Sequence, residues 1–257
     1  MRKLLLGIFL VVSALSFSAE KILSYEETFL DKKTGIVYAI GEETPYTGIV
    51  ENYKFLSGDS VLEGRVIFKN GLMEGTFKLL YPSGKTASIA TFKNGEKEGE
   101  QKDFYENGVI RLEISYKNGK MNGIGKKYSA KGILRGEFPY KDDELNGVVK
   151  QYNEVTGKLE IEANYKNGKA EGSVRKYYPN GKLESEQRYK NNLREGLSKS
   201  YYENGVLKAE KFYKNDKLQG INKIYYPNGK LQAEANFKDD MLDGISREYD
   251  ETGKIIR

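Results

Sequence analysis

The chain has 257 residues, 42 Lys and Arg against 37 Asp and Glu, a formal charge of +5, and only 38% hydrophobic residues. It has no Cys and no His, which excludes disulfides, thiol nucleophiles, thiolate metal sites, imidazole bases and histidine-ligated zinc. Opposite charges are interspersed, without the basic stripe that a nucleic-acid partner calls for.

Arg2 and Lys3 precede an apolar stretch from Leu4 to Leu15, and Ser16-Phe17-Ser18 offers a small-residue cleavage site before Ala19. The stretch is too short to span a bilayer core of roughly 30 Å. Residues 1–18 therefore read as a signal peptide, and the expected product is periplasmic or extracellular. No Cys follows the stretch, so a lipid-modified cysteine at the new N-terminus is not expected. Residues 19–58 read as a degenerate N-terminal capping hairpin region: Lys33-Thr-Gly35 resembles a turn and Pro45-Tyr46-Thr47-Gly48 an irregular unit start.

Residues 59–257 are tandem units. Glycine recurs almost always 24 residues apart at Gly75, Gly99, Gly123, Gly147, Gly172, Gly196, Gly220 and Gly244. A second rank follows at Gly84, Gly108, Gly132, Gly157, Gly181, Gly205, Gly229 and Gly253. A fixed period of this length signals stacked supersecondary units in place of one globular core. In the unit Gly172–Glu195, two Tyr- and aliphatic-rich runs flank a turn and a second turn leads onward, which predicts a β-hairpin.

The first turn recurs as Tyr81-Pro-Ser-Gly84, Tyr178-Pro-Asn-Gly181 and Tyr226-Pro-Asn-Gly229, with Glu106-Asn-Gly108 and Glu203-Asn-Gly205 as variants. Proline presets φ and the second-rank glycine supplies the left-handed residue, predicting a three-residue loop with a glycine bulge. The second turn recurs as Lys93-Asn-Gly95, Lys117-Asn-Gly119 and Lys166-Asn-Gly168. Elsewhere Asp143, Asn192, Asp216 and Asp240 replace its glycine, and all these residues tolerate the left-handed region.

Alternation then predicts the faces. The bulged turn is expected to put Tyr177 opposite Leu183 and to join two series on one apolar face. One runs from Ile124, Val148, Leu197, Ile221 and Ile245 to Tyr128, Tyr152, Tyr201, Tyr225 and Tyr249; the other from Leu134, Leu159, Leu183 and Leu207 to Tyr140, Tyr165, Tyr189 and Tyr213. Lys102, Lys126, Lys150, Arg175, Lys199, Lys223 and Arg247 are expected on that face, and Glu113, Glu137, Glu162, Glu186, Glu210 and Glu234 on the opposite one. The fold class is all-β: an elongated antiparallel β-hairpin array, a single-layer meander or solenoid about 75–80 Å long at ~4.8 Å per strand.

The string Tyr-x-Asn-Gly-Lys-Leu-x-x-Glu-x-x-Tyr-Lys-Asn-Gly-Lys-x-x-Gly resembles the bacterial variant of the MORN repeat over roughly residues 46–257. The resemblance implies hairpin units in an elongated interaction scaffold. Bacterial members often resemble the YwqK-family antitoxin of toxin–antitoxin modules, and other MORN arrays are associated with membrane or phospholipid contact. An export leader departs from the antitoxin picture, in which the partner is met in the cytosol; it would call for an exported toxin.

Candidate chemistry is sparse. The Glu column repeats near-identical sites and offers no reason for one carboxyl to differ from the next, as glycoside hydrolysis requires. The Asn-Gly pairs lack the strand–loop–helix context of a phosphate loop. Tyr81, Tyr105, Tyr178, Tyr202 and Tyr226 lie one residue past the first-strand aromatics, hence on the other face. They could anchor a partner or stack on glycan, or brace one another across strands. The reading is a non-enzymatic, cofactor-free, exported scaffold that binds a protein, with an exported toxin as one candidate. The alternative is an envelope module that contacts anionic lipid or cell-wall glycan through Lys and Tyr rows.

Overall fold

The computed structural model describes residues 21–57 and 60–257; the leader expected at residues 1–18, with its cleavage site, lies outside them. One 23-stranded sheet dominates, and its strands pair with their neighbours in the chain as an antiparallel meander. The exception is Ile22–Ser24, which runs parallel to Gly48–Ser57. A separate hairpin, Thr28–Asp31 with Ile36–Ala39, packs Val37 and Ala39 against the sheet's first strands. The expected all-β hairpin array is what forms.

Turn chemistry explains the hairpins. At the first turn the Gly181 N–H donates to the Tyr178 carbonyl at 2.8 Å and the Tyr178 N–H to the Lys182 carbonyl at 2.8 Å, with Gly181 at φ 89°. That is the predicted three-residue loop. In the Gly157 copy, one residue longer, the Asn153 N–H reaches the Lys158 carbonyl instead. At the second turn both central residues have positive φ, as in Asn94 (51°) with Gly95 (81°) and Asp142 (50°) with Asp143 (71°). This mirror-image turn matches the right-handed twist of the strands it joins. Where Asp or Asn replaces glycine, the side chain adds a bond to the preceding second turn. Asp143 Oδ1 accepts the Met121 N–H at 2.7 Å and Asp240 Oδ1 the Leu218 N–H at 2.7 Å.

The faces differ from expectation. Tyr177 does stand opposite Leu183, but Lys176 stands opposite Ser185, leaving Glu184 as an extra residue inside the ladder. The same one-residue bulge recurs between Lys127 and Tyr128, Gln151 and Tyr152, and Ser200 and Tyr201. It reverses the alternation after the leucine, so Leu183 and Tyr189 lie on opposite faces. The two predicted series are therefore separated. The Lys and Glu columns, expected on opposite faces, meet on one: Lys126 faces Glu137, Lys150 faces Glu162 and Lys199 faces Glu210.

Beyond the N-terminal hairpin, one face is the more buried without a second layer. Its floor carries Ile114, Val149 and Ala163, each 4–6% exposed, together with buried Gly125 and Gly136. Two tyrosine rows stand along its sides. One is Tyr116, Tyr140, Tyr165, Tyr189 and Tyr213 near the second turns; the other is Tyr81, Tyr105, Tyr178, Tyr202 and Tyr226 at the first turns. Small floor residues let these large rings fold over, and a Cβ at Gly125 would sit 3.3 Å from the Tyr140 ring. Toward the N-terminus the floor becomes aromatic, with Phe77 4.8 Å from Phe92 and 5.7 Å from Phe55 between ring centroids. There the Thr28–Ala39 hairpin covers it and gives the chain its one dense apolar cluster among the described residues. Gly48 is fixed by close approach: a Cβ there would lie 2.2 Å from the Lys21 carbonyl oxygen.

Candidate functional site

The outer face carries three parallel rows. Its centre is an unbroken alternation of charge from Lys102 through Glu113, Lys126, Glu137, Lys150 and Glu162 on to Arg247, each residue opposite the next. Arg175 reaches Glu186 at 2.8 Å and Glu162 at 3.5 Å, and Lys199 reaches Glu210 at 3.2 Å. Such partly exposed pairs each contribute little. Every interior glutamate has a cation on both sides, which leaves no carboxyl singled out for acid–base work.

On one flank of the charges lie the first-strand aromatics. The Tyr128 hydroxyl donates to Glu113 Oε2 at 2.9 Å and the Tyr152 hydroxyl to Glu137 Oε2 at 2.9 Å. Burial, then the bond to glutamate, pushes the Tyr128 and Tyr152 phenols up to about 12. On the other flank lie the aliphatics that were expected inside. Ile124 is 56% exposed, Leu197 43% and Ile221 62%, with Val148 and Ile245 also open to solvent. Phe212, opposite Leu197, is exposed as well.

The tyrosines at the first turns lie on the inner side, and each is tied to the next unit. Tyr81 donates to the Phe104 carbonyl (2.6 Å), Tyr105 to Tyr128 (2.8 Å), Tyr178 to Tyr201 (2.8 Å), Tyr202 to Tyr225 (2.7 Å) and Tyr226 to Tyr249 (2.8 Å). The turn asparagines act in parallel. Asn204 Oδ1 accepts the Val206 N–H of its own turn, while Nδ2 reaches the Pro227 carbonyl of the next. Thus the Tyr-x-Asn-Gly string joins unit to unit, and each first-turn glycine, Gly84, Gly108, Gly132, Gly157, Gly181, Gly205, Gly229 and Gly253, holds a positive φ.

Polar groups interrupt the inner face in two places that sequence reasoning missed. Near the N-terminal core, buried Asp103 accepts from Ser88 Oγ (2.7 Å) and Gln101 Nε2 (2.8 Å), with Arg111 at 3.5 Å. Lys97 donates to Gln101 Oε1 at 2.7 Å and lies 4.7 Å above the Tyr116 ring; burial lowers its pKa, with Asp103 pulling the other way. Farther along, a cleft of about 380 Å³ gathers Gln187, Arg194, Ser198, Ser200, Lys208 and Lys211. Arg194 holds the same unit position as Lys97 and likewise lies over a tyrosine, 4.2 Å from the Tyr213 centroid. Among the described residues no three potential metal-ligating side chains converge.

No curated protein matches the chain. The MORN repeat variant profile matches residues 73–94, 97–118, 145–167, 170–191, 194–215, 218–239 and 242–257, and the MORN repeat profile matches residues 115–133. Each full variant segment runs from just past one second turn, through the bulged first turn, to the next second turn, so the sequence unit and the hairpin coincide. With more than half of its residues in such units, the chain belongs to the MORN repeat variant family.

Proposed function

We propose that this chain is a non-catalytic, exported scaffold that binds a protein partner through its outer face. The observation that carries the reading is the row of solvent-exposed aliphatics at one repeating strand position, Ile124, Val148, Leu197, Ile221 and Ile245, beside the alternating charges. Neighbouring members lie two strands apart, about 10 Å, except that Ser173 holds the place between Val148 and Leu197; they give a partner repeated apolar contacts, and the charge row orients it. In this reading the first-turn tyrosines build the array and the outer rows meet the partner. The resemblance to antitoxins makes a toxin encoded beside the gene the first partner to test, and if residues 1–18 act as the expected leader the encounter lies outside the cytosol.

The test is crosslinking and capture of the chain from its own envelope, with Leu197→Glu/Ile221→Glu alongside. A stoichiometric protein lost from the double variant, whose unfolding midpoint is unchanged, supports the reading. Capture of none, or equal capture by both forms, overturns it. Sedimentation with anionic vesicles or cell-wall material in place of a protein assigns the surface to lipid or glycan, and lipid attachment weakens steeply with salt.

A further inference from the structure

We propose that the inner face binds a small oxyanion-bearing ligand in the cleft around Lys211, independently of any partner on the outer face. The position Lys211 occupies is an inner-floor position in every unit. It holds Ala90, Ile114, Phe138 and Ala163 before it and Ala235 after it, with Gln187 as the nearest polar copy. Lys211 alone is charged there.

Its surroundings are polar as well. Ser198 stands directly opposite Lys211, and Ser200 directly opposite Ser185 on the other neighbouring strand. The bulge places Lys208 on the same side, its ammonium 5.6 Å from the Tyr202 centroid. Arg194 is held by Asp216 Oδ1 at 3.0 Å and by stacking on Tyr213, which fixes its guanidinium at the cleft wall. No carboxylate lines the cleft, and Lys211 makes no ion pair among the described residues.

With Arg194 already paired to Asp216, Lys208 and Lys211 are the cleft's cations without an ion pair among the described residues, and together with two hydroxyl donors they are matched by an anion that accepts several hydrogen bonds. Ala209 and Ile224 supply an apolar wall for the ligand's body. The volume suits a monosaccharide carrying a phosphate or carboxylate group.

Calorimetric titration of the full chain with glucose 6-phosphate, glucuronate and glucose tests the assignment. Binding of glucose 6-phosphate alone assigns a phosphate ester, binding of glucuronate alone an acidic sugar, and binding of both a site that reads charge. In each case glucose does not bind, and Lys211→Gln weakens the complex at least about tenfold, as loss of a charge-assisted bond requires. Lys199→Gln, on the outer face, leaves it unchanged. Absence of binding by both charged probes, equal binding of glucose, or full affinity in Lys211→Gln overturns the proposal. Ser198→Ala, which keeps the charge, supplies the same reading if Lys211→Gln alters the fold: weaker binding supports the site, and unchanged binding overturns it.

Discussion

Tyr128 and Tyr152 each set a phenol hydroxyl on a glutamate of the outer charge row, and the consequence is a pH dependence with a definite sign. Folding raises both phenols from 10.0 to about 12. Between those values the unfolded chain gives up protons that the folded chain keeps, so stability falls as pH rises. The contribution is complete below pH 10 and is lost as pH climbs toward 12. The expected outcome is a denaturant midpoint that drops over this range in the natural chain and drops less in Tyr128→Phe/Tyr152→Phe. Lys97, whose lowered pKa acts with the opposite sign, is common to both proteins and cancels in the comparison. Equal slopes would refute the assignment.

Between elements, the units hold together through groups that the repeat string itself specifies. Tyr202 shows the arrangement: its ring stands beside the inner floor and its hydroxyl crosses to the Tyr225 carbonyl of the next hairpin at 2.7 Å. Tyr202→Phe keeps the ring and removes the bond, so a loss of about 1 kcal/mol is expected from a single intramolecular hydrogen bond. Chemical unfolding of the two proteins measures it, and a change near zero would mean that water satisfies the carbonyl equally well.

The turns were legible because only Gly, Asn and Asp sit comfortably at positive φ, so the backbone requirement is written into residue type at Gly95, Asp143 and Asn192. The faces were not. The second bulge adds Ala87, Arg111, Arg135, Glu160, Glu184, Lys208 or Gln232, residues that share no size, charge or branching. A backbone irregularity that any side chain can occupy leaves no compositional trace, yet it decides which face every later residue meets. The Lys211 cleft was hidden for the same reason. One lysine among many reads as a solvated charge until the register puts it on the inner floor.

At the scale of the whole molecule, the repeats of the described residues form a single layer whose strands pair with their neighbours in the chain. Stability in such an array is a sum of unit and neighbour terms, so removing one unit in register should shorten the ribbon and leave it folded. Residues 196–219 form such a unit: Gly196 and Gly220 occupy equivalent places, and Glu195 takes over the place of Gln219 at the new junction. Deleting them should reduce the maximum dimension in small-angle scattering by about 10 Å, two strand spacings, and leave a cooperative transition. The deletion also removes Ser198, Lys208 and Lys211, so the same protein should fail to bind the charged sugar probes while its β-sheet circular dichroism persists. A collapsed or unfolded product would show that distant units support one another, which a neighbour-only ribbon does not allow.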